Sequence, residues 1–318
     1  PREIHEQVRI MKKIVNRRYR LKNFLRDDIW ELELEELSKA RARFVKYMKV
    51  LIITIKTFSA EKIGFQAVAL SFFSTMSVVP FIAIVFAVTG GLGLADKLET
   101  LLYSYFENSQ QTIDFIIKAA GNIIETSLGG GMGLVSGLLL GWIVVWMMLS
   151  VERVFNNVWK VRKSRNIFKR VSYILAMLMI APFVMIVFFS GNIMYSHLLQ
   201  SIGLDPESFG ILKTFISWTL FALIVTFTFS AMYKFIPNAY VKYGNALIAA
   251  IPAAIAFTLV NYLYLETQVL VTRLNAVYGV FAAVPLFMVW INVGWYIILI
   301  GSELSYAFQH VDNYNIDD

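Results

Sequence analysis

The stretch VFAAVPLFMVWINVGWYIILIGS, residues 280–302, decides the fold class of this chain. It contains twenty-three residues without a charged side chain, and Glu303 follows it directly. At about 1.5 Å per residue, a helix of this length is roughly 35 Å long and can cross a hydrocarbon core of about 30 Å. We therefore predict a membrane-spanning helix here, with the polar Asn292 near its middle.

The composition of the whole chain is that of a membrane protein. Of its 318 residues 58% are hydrophobic and 16% are charged, and the mean hydropathy is +0.61. A soluble globular protein is less apolar than this. Five further apolar runs are long enough to span a bilayer; they lie at 63–90, 132–151, 171–192, 211–233 and 244–265. The predicted fold class is all-α, a polytopic membrane protein with six transmembrane helices.

The first 62 residues differ from the rest because they are polar and strongly charged. Apolar positions such as Ile10 and Ile14 recur there at helical intervals, which predicts amphipathic helices on the membrane surface or against the bundle. We therefore divide the chain into a helical cytoplasmic or interfacial extension (1–62), a six-helix transmembrane domain (63–308) and a cytoplasmic tail (309–318).

The distribution of basic residues predicts the orientation. Sixteen Lys and Arg residues precede the first span, seven lie between spans two and three, and two lie between spans four and five, whereas the remaining loops carry only four. The positive-inside rule then places both termini in the cytoplasm. Since this split accounts for the basic pI, we expect no nucleic-acid partner, and we expect membrane lipids as partners because basic residues attract anionic headgroups.

The first outer loop, residues 91–131, is too long for a simple turn. Isoleucines at 113, 116, 117, 123 and 124 follow a helical period, which predicts an amphipathic helix that caps the outer mouth of the bundle. The glycines at 129–131 are expected to end that helix.

Hydroxyl side chains in the first span are candidates for a substrate path. Ser71, Ser74 and Thr75 share one helix face. Small hydroxyl residues also let helices pack closely and return hydrogen bonds to their own backbone. Both interpretations, packing and a polar wall of the path, stay open at this point.

The end of the second span carries four polar residues, which are candidates for a cytoplasmic gate: Glu152, Arg153, Asn156 and Asn157. Glu152 and Asn156 are four residues apart, as are Arg153 and Asn157, so each pair occupies one helix face. The alternative is a structural collar at the membrane boundary, in which neighbouring tryptophans act as interfacial anchors.

Spans five and six carry the remaining substrate-path candidates. Asn261 and Glu266 lie towards the outer end of span five, and Glu266 either is an ordinary boundary carboxylate or pairs with Arg273 at an outer entrance. Asn292 and Glu303 are eleven residues apart, which places them within about 20° of one helical face. This stripe serves either helix packing or a pathway.

Signatures of enzymes are absent from the sequence. Cysteine is absent, the three histidines are far apart, and no HExxH, GxSxG or phosphate-loop motif occurs. We therefore expect no enzymatic activity, no cofactor and no metal site.

Four segments resemble the YihY/BrkB family of bacterial inner-membrane proteins. They are ALSFFSTMSVVPF (69–81), FNNVWKV (155–161), YKFIPN (233–238) and AVYGVFAAVPLFMVWINVGWYIILIGSEL (276–304), the last being the most specific. The resemblance covers about residues 58–308 and implies six spans in a bacterial cytoplasmic (inner) membrane. Members of the family are treated as transporters, and some are suspected of moving lipids. Some once carried a ribonuclease label, which no motif in this chain supports.

The leading functional hypothesis is a transporter or exporter of an amphiphilic or lipid-like molecule, with its site between the transmembrane helices. The polar positions are scattered hydroxyls and amides, whereas an ion-coupled pump more often buries an acidic residue near mid-span. The alternative is a structural or scaffold membrane protein that binds a protein partner through residues 1–57.

Overall fold

The structure, a computed structural model, describes residues 29–31, 38–105, 110–128, 131–161, 165–166, 168–176, 178–180, 182–183, 186, 210–274 and 276–314. We number nine helices within these residues: α1 (Ile29–Glu31), α2 (Lys39–Ala60), α3 (Ile63–Gly91), α4 (Ala95–Tyr105), α5 (Gln110–Leu128), α6 (Gly131–Val158), α7 (Gly210–Phe235), α8 (Tyr243–Leu274) and α9 (Ala276–His310). A further helical stretch covers 168–176, and a 3-10 turn, Val311–Asn313, follows α9.

Five of the described helices, α3, α6, α7, α8 and α9, have the length and apolar character to cross a membrane. They coincide with five of the predicted spans, and each extends past the predicted bounds at one or both ends. The prediction of an all-helical polytopic membrane protein is confirmed. The predicted third span, 171–192, lies largely outside the described residues, although 171–176 and 178–180 within it are helical.

One end of the bundle is formed where α2 meets α3 and where α6, α7 and α9 end; we call it the basic end. The contacts that establish it join the last turn of α6 to the loop after α7 and to the last turns of α9. Because α6 and α7 both finish there, the chain between Val158 and Gly210 has to lead from the basic end to the opposite end. The predicted third span, 171–192, would make that crossing, and it stays a prediction.

Helix α9 is the central helix, because it contacts α8, α3, α2, α6 and α7. Its closest partner, α8, presents a face of small side chains that allows the two backbones to approach closely. That face consists of Ala246, Ala249, Ala250, Ala253 and Ala254, which are all buried. Large aromatic side chains of α6 and α7, Phe155 and Tyr233 among them, complete the main core.

Helix α2, in the predicted extension, packs against the last turns of α9. Val50 and Ile53 of α2 are buried with Ala307 and Val311. Lys49 is also buried, with its ammonium 5.7 Å from the centre of the Trp30 ring. Burial lowers the pKa of Lys49, an effect that the Asp312 carboxylate opposes. Of the two predicted places for the amphipathic segment, α2 therefore occupies the one against the bundle.

Two helices, α4 and α5, follow the first span in the loop where one amphipathic helix was predicted. They pack against the second half of α3 through Val85, Leu98 and Ile113. The Tyr103 hydroxyl donates a hydrogen bond to the Asp114 carboxylate, which raises the pKa of Tyr103 to about 12. Residues 129–130, within the predicted glycine break, lie outside the described residues.

Candidate functional site

Two hydrogen bonds cross the interface between α3 and α9. The Asn292 Nδ2 atom donates to Ser71 Oγ at 3.2 Å, and Trp295 Nε1 donates to Ser74 Oγ at 2.9 Å. Both serines are buried. Polar side chains that pair across helices in this way hold a membrane bundle together.

The hydroxyls of α3 also bond to their own backbone. Ser71 Oγ donates to the Val68 carbonyl at 2.7 Å, and Thr75 Oγ1 donates to the Ser71 carbonyl at 2.8 Å. Such bonds to preceding carbonyls are common for hydroxyl residues in helices. The contacts of Ser71, Ser74, Thr75 and Asn292 are therefore those of packed helices.

Glu303 is fully enclosed, with 0% of its surface exposed. It lies on α9 about one turn before Tyr306 and Ala307. The Tyr306 ring is 5.6 Å from that of Trp159, and Ala307 packs on α2. Among the described residues neither carboxylate oxygen has a hydrogen-bond partner. The sequence placed Glu303 directly after the apolar run 280–302, at the end of a span. In the structure α9 continues for seven more residues, to His310, and Glu303 is buried.

The last turn of α6 carries a buried ion pair at the basic end. Arg170 Nε lies 2.8 Å from Glu152 Oε2, and the Glu152 side chain is 4% exposed. Arg153, the next residue along the chain, is exposed. Glu152 thus holds the start of the 168–176 helix against α6.

The loop between α7 and α8, residues 236–242, is held by side chains from several elements; we call this set the loop clasp. Asn156 Oδ1 accepts a hydrogen bond from the Asn238 backbone N–H at 2.7 Å. Gln309 accepts one from the Lys242 backbone N–H at 2.9 Å and donates one to the Tyr240 carbonyl at 2.8 Å. The clasp links the ends of α6, α7 and α9.

Arg165 binds the same loop from the other side. Its Nη2 donates to the carbonyls of Phe235 and Pro237 at 3.0 and 3.1 Å. Its guanidinium carbon is 4.5 Å from the centre of the Tyr173 ring, a distance at which cation–π attraction is favourable. The 168–176 helix is therefore coupled to the α7–α8 loop.

We expect Asn156→Ala to lower the free energy of opening of the 236–242 loop by about 1 kcal/mol, the net value of one hydrogen bond. The effect is no larger because water can reach the exposed Asn238 and replace the lost partner. Amide hydrogen exchange across residues 236–242 should accelerate about fivefold. Asn157→Ala is the matched control, since Asn157 is only half-buried. Equal exchange in both variants would contradict the role of Asn156.

An apolar groove of about 320 Å³ lies between α3, α5 and α6. Small side chains make room for it on two sides, Ala83 and Ala87 on α3 and Gly137 and Gly141 on α6. Its remaining lining is Pro80, Ile84, Ile123, Ile124, Ser127, Leu134, Leu138 and Leu140. Leu134 and Leu138 are more than half exposed, so the groove opens on the outside of the bundle, where the lipid would be.

A smaller space of about 170 Å³ lies beside the α3–α9 hydrogen bonds. Ser74, Phe257, Trp290, Gly294 and Trp295 are among its lining residues. Asn292 is not part of that lining. The predicted stripe of Asn292 and Glu303 therefore does not line this space, whose walls are mostly aromatic and aliphatic.

The predicted outer entrance is described only in part. Asn261 is buried on α8, and Glu266 is exposed one and a half turns later. The side chain of Arg273 lies outside the described residues, so its pairing with Glu266 stays a prediction.

Several residues of these contacts had no signal of their own in the sequence. Arg170, Gln309 and Trp295 bond to groups far away along the chain. Asn238 lies within the YKFIPN segment, but nothing in that segment indicates its partner. Helical periodicity shows which face of its helix a residue occupies, but it does not show which other helix or loop packs against that face.

The fold and these contacts define a polytopic, all-helical membrane protein. The family model described as Virulence factor BrkB matches residues 54–318. The chain therefore belongs to the BrkB family, which confirms the resemblance noted in the sequence. The match starts slightly before the predicted residue 58, so the end of α2 is inside it.

Curated relatives carry the name UPF0761 membrane protein. One from Albidiferax ferrireducens is 26% identical over 87% of this chain and 66% of its own length. Another from Chromohalobacter salexigens is 28% identical over 79% of this chain and 61% of its own, and one from Legionella pneumophila is 26% identical over 86% and 65%. The chain thus spans less than two thirds of the length of each of these relatives. No solved structure matches it.

Proposed function

We propose that this chain is a transporter that moves an amphiphilic or lipid-like molecule across the membrane, with the groove between α3, α5 and α6 as the place where the apolar part binds. The observation that carries the proposal is the groove itself, about 320 Å³ in volume and open towards the lipid. Its size is at the lower end of the range for small-molecule sites, about 300–1,000 Å³.

The chemistry of the groove favours an apolar occupant. Ser127 supplies the only hydroxyl among its described lining residues, and none of them is charged. An acyl chain needs no hydrogen bonds, and burial of each CH₂ group contributes about 0.8 kcal/mol. In a bilayer the surrounding lipid gives an acyl chain similar apolar contacts. The close fit of the acyl chain to the groove therefore has to make binding in the groove more favourable than staying in the lipid.

The hydrogen bonds of α3 and α9 add a second argument. Ser71 and Ser74 are engaged with Asn292 and Trp295, so these groups are occupied by helix packing. A hydrophilic solute would need a line of accessible polar groups through the bundle. The contacts in the described part of the chain therefore favour movement of an amphiphile along the outside of the bundle. The proposal assigns no enzymatic reaction, cofactor or nucleic-acid partner.

Filling the groove is expected to slow translocation. Ala87 is exposed in the groove, and a side chain at Gly141 would meet nothing within 4 Å. The double variant Ala87→Phe with Gly141→Leu should therefore fold and reduce translocation of a fluorescent phospholipid in proteoliposomes about tenfold, a change equivalent to about 1.4 kcal/mol. Ala69→Phe is the matched control, because Ala69 is exposed on α3 outside the groove.

Two results of this experiment would count against the proposal. Wild-type proteoliposomes that translocate no faster than empty liposomes would refute lipid transport by this chain. An unchanged rate in the double variant, with a clear rate in the wild type, would refute the groove as the site.

The alternative function is a scaffold that binds a protein partner through its N-terminal helices. The exposed apolar side of α2, with Phe44 and Ile55 at 67% and 70% exposure, is the observation in its favour. This function requires a protein partner that binds the full chain, and substitutions in α2 should abolish that binding.

A further inference from the structure

Helix α2 presents an exposed apolar stripe. Phe44, Tyr47, Leu51 and Ile55 are 67%, 51%, 49% and 70% exposed, and their spacing of three, four and four residues puts them on one helix face. Tyr47 lies where the stripe borders α9, since its ring is 5.8 Å from that of Phe308. About half or more of each of the four side chains is left uncovered by the described part of the chain.

The helix stands alongside α9 rather than across the end of the bundle. Near the end of α2, the Phe58 ring lies 6.1 Å from that of Tyr296. Twelve residues earlier, Lys46 Nζ lies 3.4 Å from Asp312, which is sixteen residues after Tyr296. Helix α2 therefore runs antiparallel to α9 over about 20 Å.

The position of α2 beside α9 determines what surrounds the stripe. The segment of α9 beside α2 overlaps the membrane-spanning part, Pro285–His310. On the spanning helix α3, Phe65 and Phe72 show comparable exposure, 79% and 52%, and such side chains face hydrocarbon in a bilayer. The stripe of α2 lies where it can face the same hydrocarbon.

The charges of α2 complement an anionic surface. The helix contains six Lys and Arg residues and no acidic residue. Lys39, Arg41 and Arg43 lie at its N-terminus and are exposed. Cations at a helix N-terminus oppose the macrodipole and destabilise the helix, so helix stability does not account for them. Long basic side chains at the edge of an apolar stripe reach lipid headgroups.

We propose that α2 is embedded along its exposed stripe in the leaflet at the basic end, and that Lys39, Arg41 and Arg43 bind the headgroups of anionic phospholipids there. Helix α2 is then part of the membrane domain, and the lipid boundary at this end lies near Phe44 rather than near Ile63. This inference is independent of whether the chain transports lipid.

The natural absence of cysteine makes the depth of α2 measurable in the full chain. Nitroxide labels on Leu51→Cys and Ile55→Cys, in nanodiscs that contain phosphatidylglycerol, should collide with oxygen and be shielded from an aqueous nickel complex. A label on Lys39→Cys is the control and should collide with the nickel complex, because Lys39 is exposed at headgroup level. Nickel access at Leu51 and Ile55 would overturn the proposal. Shielding from both reagents would also overturn it, because a second copy or another protein would then cover the stripe.

The headgroup contacts have their own test in the same nanodiscs. The triple variant Lys39→Gln, Arg41→Gln and Arg43→Gln should weaken binding of a labelled phosphatidylglycerol, relative to phosphatidylcholine, on the order of a hundredfold. Lys97→Gln with Lys118→Gln removes exposed charges from α4 and α5 and should leave the ratio unchanged. An equal ratio in the triple variant and the wild type would overturn the headgroup assignment.

Discussion

Arg170→Ala is expected to destabilise the folded protein by about 3 kcal/mol, the lower end of the range for breaking a buried ion pair. Arg170 Nε is the partner of Glu152 Oε2 at 2.8 Å, and the Glu152 side chain is 4% exposed. Without Arg170 this carboxylate would stay buried and unpaired. The effect falls at the lower end because Arg170 itself is 25% exposed, so water partly screens the pair.

The measurement is thermal or denaturant unfolding of the purified protein in detergent, followed by circular dichroism. Arg153→Ala is the matched control, since Arg153 is adjacent to Glu152 along the chain but exposed, and it should change stability by less than about 0.5 kcal/mol. Adding Glu152→Gln to Arg170→Ala should recover part of the loss, because no charge is then buried alone. A double variant less stable than Arg170→Ala would show that the pair does not act as described.

Gly301→Ala is expected to cost about 1–3 kcal/mol, the usual penalty for overpacking a core. A Cβ atom on Gly301 would overlap the Tyr233 hydroxyl oxygen and lie only 2.9 Å from the Cβ of Ala253. Tyr233 cannot move aside easily, because it is fully buried and packs against Phe155 and Phe229. Small residues at 253 and 301 are what allow α8 and α9 to meet here.

A second substitution makes this prediction specific. The Tyr233 hydroxyl has no hydrogen-bond partner among the described residues, so Tyr233→Phe should cost little. It should restore part of the stability of Gly301→Ala, because the hydroxyl oxygen is the atom that the new Cβ overlaps most, whereas the ring carbon Cζ at 2.8 Å and Ala253 Cβ at 2.9 Å remain close. Gly141→Ala is the control, because a Cβ atom at Gly141 would have no other atom within 4 Å, and it should be neutral or stabilising by up to about 1 kcal/mol. Failure of Tyr233→Phe to recover stability would mean that the hydroxyl is not the obstacle.

The sequence predicted the spans well because the signal for them is local. Transfer of about twenty apolar residues into a bilayer is favourable whatever the helix packs against. The apolar run at 280–302 therefore identified α9. The sequence also placed Asn292 and Glu303 on one face, because helical geometry alone determines this.

The partners of the site residues were not predictable in the same way. Helix spacing put Glu152 on one face with Asn156, but its ion pair is with Arg170, eighteen residues away. Asn156 contacts Asn238 and Ser74 contacts Trp295 because helices from distant parts of the chain meet there. Which faces meet depends on the complementary shapes of whole helices, and no window of sequence contains that information.

What the sequence by itself determined is the class of protein, the position of five membrane helices, the segregation of basic residues to one end, and the family to which the chain belongs. What only the tertiary structure decided is which groups the polar residues meet: Ser71 and Asn292 join two helices, Glu303 is fully buried, and an apolar groove opens beside α6. The physical reason is that insertion into a bilayer depends on local hydrophobicity, whereas burial and pairing depend on which surfaces the folded helices bring together.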